Sequence, residues 1–140
     1  MSEQQECIFC KIAGKEVESF IVAETDKWLS FLDINPASAG HTLIIPKKHI
    51  PVTPLIPKED YKKACSLIKG ISAGFLKGLK ARGSTIFVAN GYAAGQKAPH
   101  AIIHVIPRFI EDGLQLSLPQ DEISEEKLTN IYKNFTTPKE

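Results

Sequence analysis

The stretch GQKAPHAIIHVIPRF, Gly95 to Phe109, sets two histidines, His100 and His104, into an apolar run. Imidazole can ligate a metal, carry a proton or attack phosphorus, and the backbone beneath it decides which. On a helix the two rings would be i and i+4 neighbours able to share one metal. Ile102, Ile103, Val105 and Ile106 are β-branched, however, and Pro99 and Pro107 bound the segment. The pattern therefore predicts a strand from His100 to Ile106, stopped by Pro107. On a strand His100, Ile102 and His104 share one face, and Ala101, Ile103 and Val105 share the other. The two imidazoles then stand ~13 Å apart, too far for one zinc whose ligands lie ~2 Å away. They have different tasks, and an isoleucine lies midway between them.

A glycine- and alanine-rich loop, Asn90 to Lys97, leads into this strand. Such a loop can turn backbone N–H groups toward an anion. It is not a Walker A loop, because the glycine spacing is wrong and no Ser or Thr follows Lys97. Cys7 and Cys10 form a C-x2-C pair. That spacing can be half of a tetrahedral zinc site, a redox pair, or two thiols facing a core. A redox pair of this kind normally follows a strand, and only six residues precede Cys7.

The elements that must position these groups are legible in outline. Lys11 to Gly14 reads as a short helical turn stopped by glycine. Ser19 to Ala23 and Lys27 to Leu32 read as strands, and Gly40 to Pro46 as a buried strand. Lys58 to Ala81 is the one long helix, ended by Arg82-Gly83. Its apolar stripe is Tyr61, Ala64, Cys65, Ile68, Ile71, Phe75 and Leu79, with Cys65 taken as a small core residue. Ser84 to Ala89 is a further strand, and Asp121 to Phe135 a terminal helix with Ser124 as N-cap. Strands, long helix, strands, helix: this order predicts an antiparallel α+β domain.

The 140 residues suffice for a single domain, 1–140, with one core. A net charge of +1 gives no broad attraction to nucleic acid or to anionic membrane. No apolar run approaches the ~20 residues of a membrane span. The polar start MSEQQE does not read as a secretory signal, so a cytoplasmic location is expected. An odd number of cysteines in a reducing compartment argues against a disulfide framework.

Three segments together resemble the histidine triad (HIT) superfamily of nucleotide-binding proteins. They are CIFCKI (Cys7 to Ile12), FLDINPASAGHTLIIPKKHI (Phe31 to Ile50) and ANGYAAGQKAPHAIIHVIPR (Ala89 to Arg108). The resemblance implies an antiparallel sheet of about five strands with one long helix and a C-terminal helix, in a homodimer. It implies that Asp33 binds ribose hydroxyls and that Ile34 lies beside a purine base. His41, Asn90 and the Gly95-Gln96-Lys97 turn would surround the phosphate of a nucleotide such as AMP or GMP. His100 and His104 match the first and third histidines of the triad.

The middle histidine is the family's nucleophile, and here that position is Ile102. Isoleucine has no lone pair and cannot attack phosphorus. Removing a nucleophile outright costs on the order of 10⁶ in turnover in a well-studied protease. The expectation is a nucleotide-binding protein, related to phosphoramidate and dinucleoside polyphosphate hydrolases, with little or no hydrolase activity. Two alternatives stay open: an active enzyme using His104 or Lys97, and a structural or interaction module. His104 lies ~6.6 Å along the strand from Ile102, whereas attack needs ~3–3.5 Å. Lys97 must first lose a proton. The only tryptophan is Trp28, so the C-terminal tryptophan of many members is missing. In one branch of the family, residues matching Cys7, Cys10, His49 and His100 hold a structural zinc, and the same is expected here.

Overall fold

The computed structural model describes residues 6–138, so the reading of the N-terminal MSEQQE lies, up to Gln5, outside the described residues. A five-stranded sheet forms the centre, in the order β1-β2-β3-β5-β4, with every neighbouring pair antiparallel. The strands are β1 (Ile21–Glu24), β2 (Trp28–Leu32), β3 (Thr42–Pro46), β4 (Gly83–Phe87) and β5 (Ile103–Arg108). The helices are α1 (Ile8–Ala13), α2 (Lys58–Gly78) and α3 (Glu125–Thr136). The expected α+β architecture, with its long helix and C-terminal helix, is observed. No helix among the described residues is long and apolar enough to cross a membrane.

Each sheet face has its own apolar cluster. On one face Ala64, Ile71 and Phe75 of α2 pack on Trp28, Ile44, Ala101, Ile103 and Val105. On the other, Phe9, Ile12 and Ala13 of α1 pack on Leu29, Phe31, Leu43, Ile45 and Ile102. Full burial of each Ile, Leu or Phe stabilises the fold by about 1.5–3 kcal/mol. The alternation expected around the two histidines is therefore present, with Ile102 on the α1 face and its neighbours Ala101 and Ile103 on the α2 face.

Several boundaries differ from expectation: α1 spans Ile8–Ala13 rather than Lys11 to Gly14, and β1, β2 and β3 begin at Ile21, Trp28 and Thr42 rather than Ser19, Lys27 and Gly40. β5 begins at Ile103 rather than His100, and it continues through Pro107 to Arg108. Proline is tolerated there because β3 pairs with β5 only from Ile103 to Val105, while Pro107 pairs with Ser84 on the other side. Helix α2 stops at Gly78, short of Ala81, because Lys80 adopts a left-handed φ of 55°. β4 covers Gly83–Phe87, not Ser84 to Ala89. α3 begins at Glu125, with Ser124 capping it by accepting the Lys127 N–H at 3.2 Å. A further correction concerns Cys65, which is exposed rather than in the core. It follows Ala64 by one residue, about 100° around the helix, and Ala64 takes the buried position.

The link between β2 and β3 carries several of the candidate residues. Asp33 N–H donates to His41 O at 2.9 Å, and Asn35 N–H donates to Asp33 Oδ1 at 2.9 Å. The second bond is an Asx turn, which fixes the carboxylate at the mouth of the strand pair. Gly40 precedes His41 with a φ of +105°, and a Cβ there would meet Leu79 Cδ1 at 2.5 Å and Pro107 Cγ at 3.1 Å. Only glycine permits this approach without strain.

Candidate functional site

The structure separates the histidines into two sites. The first comprises Cys7, Cys10, His49 and His100, whose ligand atoms all lie within 4.8 Å of one another. Cys10 lies on α1, Cys7 caps that helix, and the histidines come from the segments after β3 and before β5. Cys10 Sγ is 3.1 Å from His49 Nδ1, and Cys7 Sγ is 3.5 Å from His100 Nδ1. His100 is fully buried, and its Nε2 donates to the Pro46 carbonyl at 2.9 Å. That bond fixes the tautomer, leaving the Nδ1 lone pair directed at the thiols. His49 Nε2 is buried without a partner. Burial, aided by the adjacent Cys7, pushes the Cys10 thiol up to about 11. A cation among the four donors would reverse that shift by favouring the thiolates. Two sulfurs and two imidazoles at these separations could hold a metal ion.

The second site is a cleft of about 910 Å³, in the size range of small-molecule sites. Asp33, Ile34, Ile102 and His104 all line it, with Phe9, Ile12, Phe20 and Phe31 forming an apolar wall. His41 joins from behind: its Nε2 is 3.0 Å from His104 Nδ1. The proton positions follow from the surrounding bonds. Ala37 N–H donates to His41 Nδ1 at 3.1 Å, so that nitrogen carries a lone pair. His41 then carries its proton on Nε2 and donates it to His104. His104 in turn carries its proton on Nε2, which no group among the described residues accepts.

Phe87, the cross-strand partner of His104, stacks on its ring at 4.2 Å and 5°. Burial pushes both imidazoles below their ordinary range, to about 4 in His104, where neighbouring His41 adds to the effect. Asp33 Oδ2, 3.8 Å from His41 Nδ1, opposes the shift without overcoming it. His104 is therefore a neutral hydrogen-bond donor at pH 7. Beside it, Ile102 contributes only a hydrocarbon surface.

The remaining candidates do not line this cleft. Asn90 exchanges hydrogen bonds with Thr53, accepting from its N–H at 3.0 Å. The N–H groups of Ala94, Gly95 and Gln96 donate within the loop itself, to Gly91 and Tyr92 carbonyls. The loop is a closed 3-10 turn, Tyr92–Ala94, rather than an open anion cradle. Lys97 lines a different cavity with Cys7, Ile8, Phe9 and Pro99. Sequence reasoning missed the wall from Phe9 and Ile12, although their i, i+3 spacing marks one helix face. It also missed Phe87, which only the β4–β5 register places over His104.

The HIT domain family matches residues 14–111. The chain is 36% identical over 130 residues to adenosine 5'-monophosphoramidase HNT1 of Saccharomyces cerevisiae, covering 92% of this chain and 80% of that one. Among solved structures, SMU.412c of Streptococcus mutans superimposes with a TM-score of 0.86 at 33% identity, covering 93% of this chain and 83% of that one. A zinc-bound histidine triad family protein of Mycobacterium smegmatis superimposes with a TM-score of 0.74 at 30% identity, covering 94% and 99%. With a family match over most of its length and relatives of this identity, the chain belongs to the histidine triad (HIT) family.

Proposed function

We propose that this protein binds a purine nucleoside monophosphate and lacks the nucleotidyl-transfer step of its active relatives, because Ile102 stands where the nucleophile is required. The observation that carries the proposal is the shared cleft. Ile102 lines it together with Asp33 and His104, the residues expected at the ribose and the phosphate. The Asp33 carboxylate accepts from the ribose hydroxyls, and exposed Ile34 lies against the base. His104 donates its Nε2–H to a phosphate oxygen, and His41 holds the ring in the tautomer that can do so. Asn90, Gly95, Gln96 and Lys97 shape the neighbouring loop. Lys97, in a separate cavity, is poorly placed to replace the nucleophile. The yeast relative, an adenosine 5'-monophosphoramidase, supports AMP as the first ligand to test.

In the same reading the metal is zinc, held by Cys7, Cys10, His49 and His100. It supplies no reactive position and ties the N-terminal helix to the sheet. The protein acts as a cytoplasmic homodimer, a reading supported by half-exposed Ile86 and Phe87 on edge strand β4. Titration with AMP in a calorimeter tests the binding. A dissociation constant on the order of micromolar to millimolar is expected. Asp33→Ala should weaken it about tenfold or more, as expected for loss of a charge-assisted hydrogen bond. No binding at millimolar AMP would refute the proposal.

A further inference from the structure

Gln96 is half-buried, and both ends of its side-chain amide are bonded within the protein. Its Oε1 accepts the Gly91 N–H at 2.7 Å, while its own N–H donates back to the Gly91 carbonyl at 3.2 Å. This two-point clasp closes the loop on itself. Gly91 and Gly95, both at φ 87°, supply the positive-φ conformations that the closed turn needs.

The other end of the amide faces three carbonyls. Gln96 Nε2 lies 2.6 Å from Pro51 O, 2.9 Å from Ala98 O and 3.3 Å from His100 O. Two of those carbonyls belong to the segments that carry the histidine ligands. His100 is itself a ligand, and Pro51 lies two residues after His49. Those two segments are also joined directly, by Ala101 N–H donating to Ile50 O at 2.7 Å. Asn90 adds a second tie, to Thr53. The loop is thus fastened to both histidine-bearing segments through one amide.

We infer that Gln96 is a positioning residue that couples the four-residue metal cluster to the Asn90–Lys97 loop, so that metal binding orders the loop. A metal held by His49 and His100 fixes the spacing of segments 49–51 and 100–101. The three carbonyls then present a fixed target to Nε2, and the clasp on Gly91 holds. When the histidines separate, the carbonyls diverge and the loop opens. Coupling of this kind is reciprocal, so releasing the loop must weaken the metal by the same factor. The coupling of metal to loop does not depend on the proposed nucleotide-binding reading.

The test uses the zinc-loaded full chain, natural and Gln96→Ala. Amide hydrogen exchange is read residue by residue, and zinc affinity by competition with a chelating dye. Gln96→Ala should speed exchange over residues 91–98 by about tenfold and leave β2 and β3 unchanged. It should weaken zinc by about fivefold, the low end of measured couplings. Gln96→Glu, which keeps the acceptor for Gly91 but loses the donor, should weaken zinc at least as much. Unchanged loop exchange in Gln96→Ala, or equal zinc affinity in the natural chain and both variants, would overturn the inference. If stripping zinc unfolds the natural chain, the zinc affinities alone decide. AMP binding to the zinc-loaded natural chain is measured alongside. Failure of AMP to bind at all would count against the nucleotide reading, while exchange and zinc affinity still decide the coupling.

Discussion

Acidification should destabilise this protein through His104, and the size of the effect follows from the structure. Burial and His41 hold the folded-state pKa of His104 at about 4, below the unfolded value near 6.5. The unfolded chain therefore binds more protons between these two values, and folding stability falls as pH drops through them. The stabilisation is fully present above about pH 6.5 and lost by about pH 4. Linkage between pH 7 and pH 5 gives a loss of about 1.8 kcal/mol. Partial solvation of the ring reduces this to about 1 kcal/mol. A domain of this size shifts by about 4 °C per kcal/mol, so the melting temperature should drop by about 4 °C from this group alone. The assay compares the natural chain with His104→Gln at both pH values. Loss of metal and protonation of His41 act on both proteins, and their difference isolates His104. The variant's melting temperature should fall less by about 4 °C. Equal falls in the two proteins, or an imidazole resonance of His104 titrating near 6.5, would refute the assignment of a neutral, partly buried donor.

Two further perturbations probe the framework around the sites. Gly40→Ala places a Cβ against Leu79 and Pro107 at a φ of +105°. Backbone strain and overpacking together should cost about 2–5 kcal/mol, read as a drop in the denaturant midpoint, and should disturb adjacent His41. Cys10→Ser removes one of the four metal donors, so metal content measured after gel filtration should fall from about one zinc per chain toward none. Zinc at about 1,000 times its dissociation constant should raise the stability of the natural chain by about 4 kcal/mol and leave the variant's melting temperature unchanged.

The legibility of the sequence differed from element to element. The separation of His100 from His104 followed from β-branching and the bounding prolines, because an extended strand spaces the two rings along one face and alternates the residues between them. That alternation survives even though the strand begins only at Ile103. The metal cluster was legible through the family resemblance of Cys7, Cys10, His49 and His100, since C-x2-C by itself admits several readings. Pro107 misled because proline ends a strand only where its missing donor is needed, and β3, which starts only at Thr42 opposite Val105, does not reach it. Gln96 and Asn90 were singled out by their place in the motif, and the bonds of their amides to Pro51 and Thr53 were not legible there. Such long-range bonds depend on how two distant loops meet, which local sequence does not encode. The stacking of Phe87 on His104 was hidden for the same reason: it is a product of strand register.

The missing nucleophile at Ile102 is tested most directly by release of AMP from an adenosine phosphoramidate by the natural chain and by Ile102→His, measured side by side. Turnover close to buffer is expected for the natural chain and clear turnover for the variant, because Asp33 and His104 already line the cleft beside residue 102 and the variant adds the attacking nitrogen. Turnover by the natural chain well above buffer would contradict that expectation, and would mean that another group attacks phosphorus.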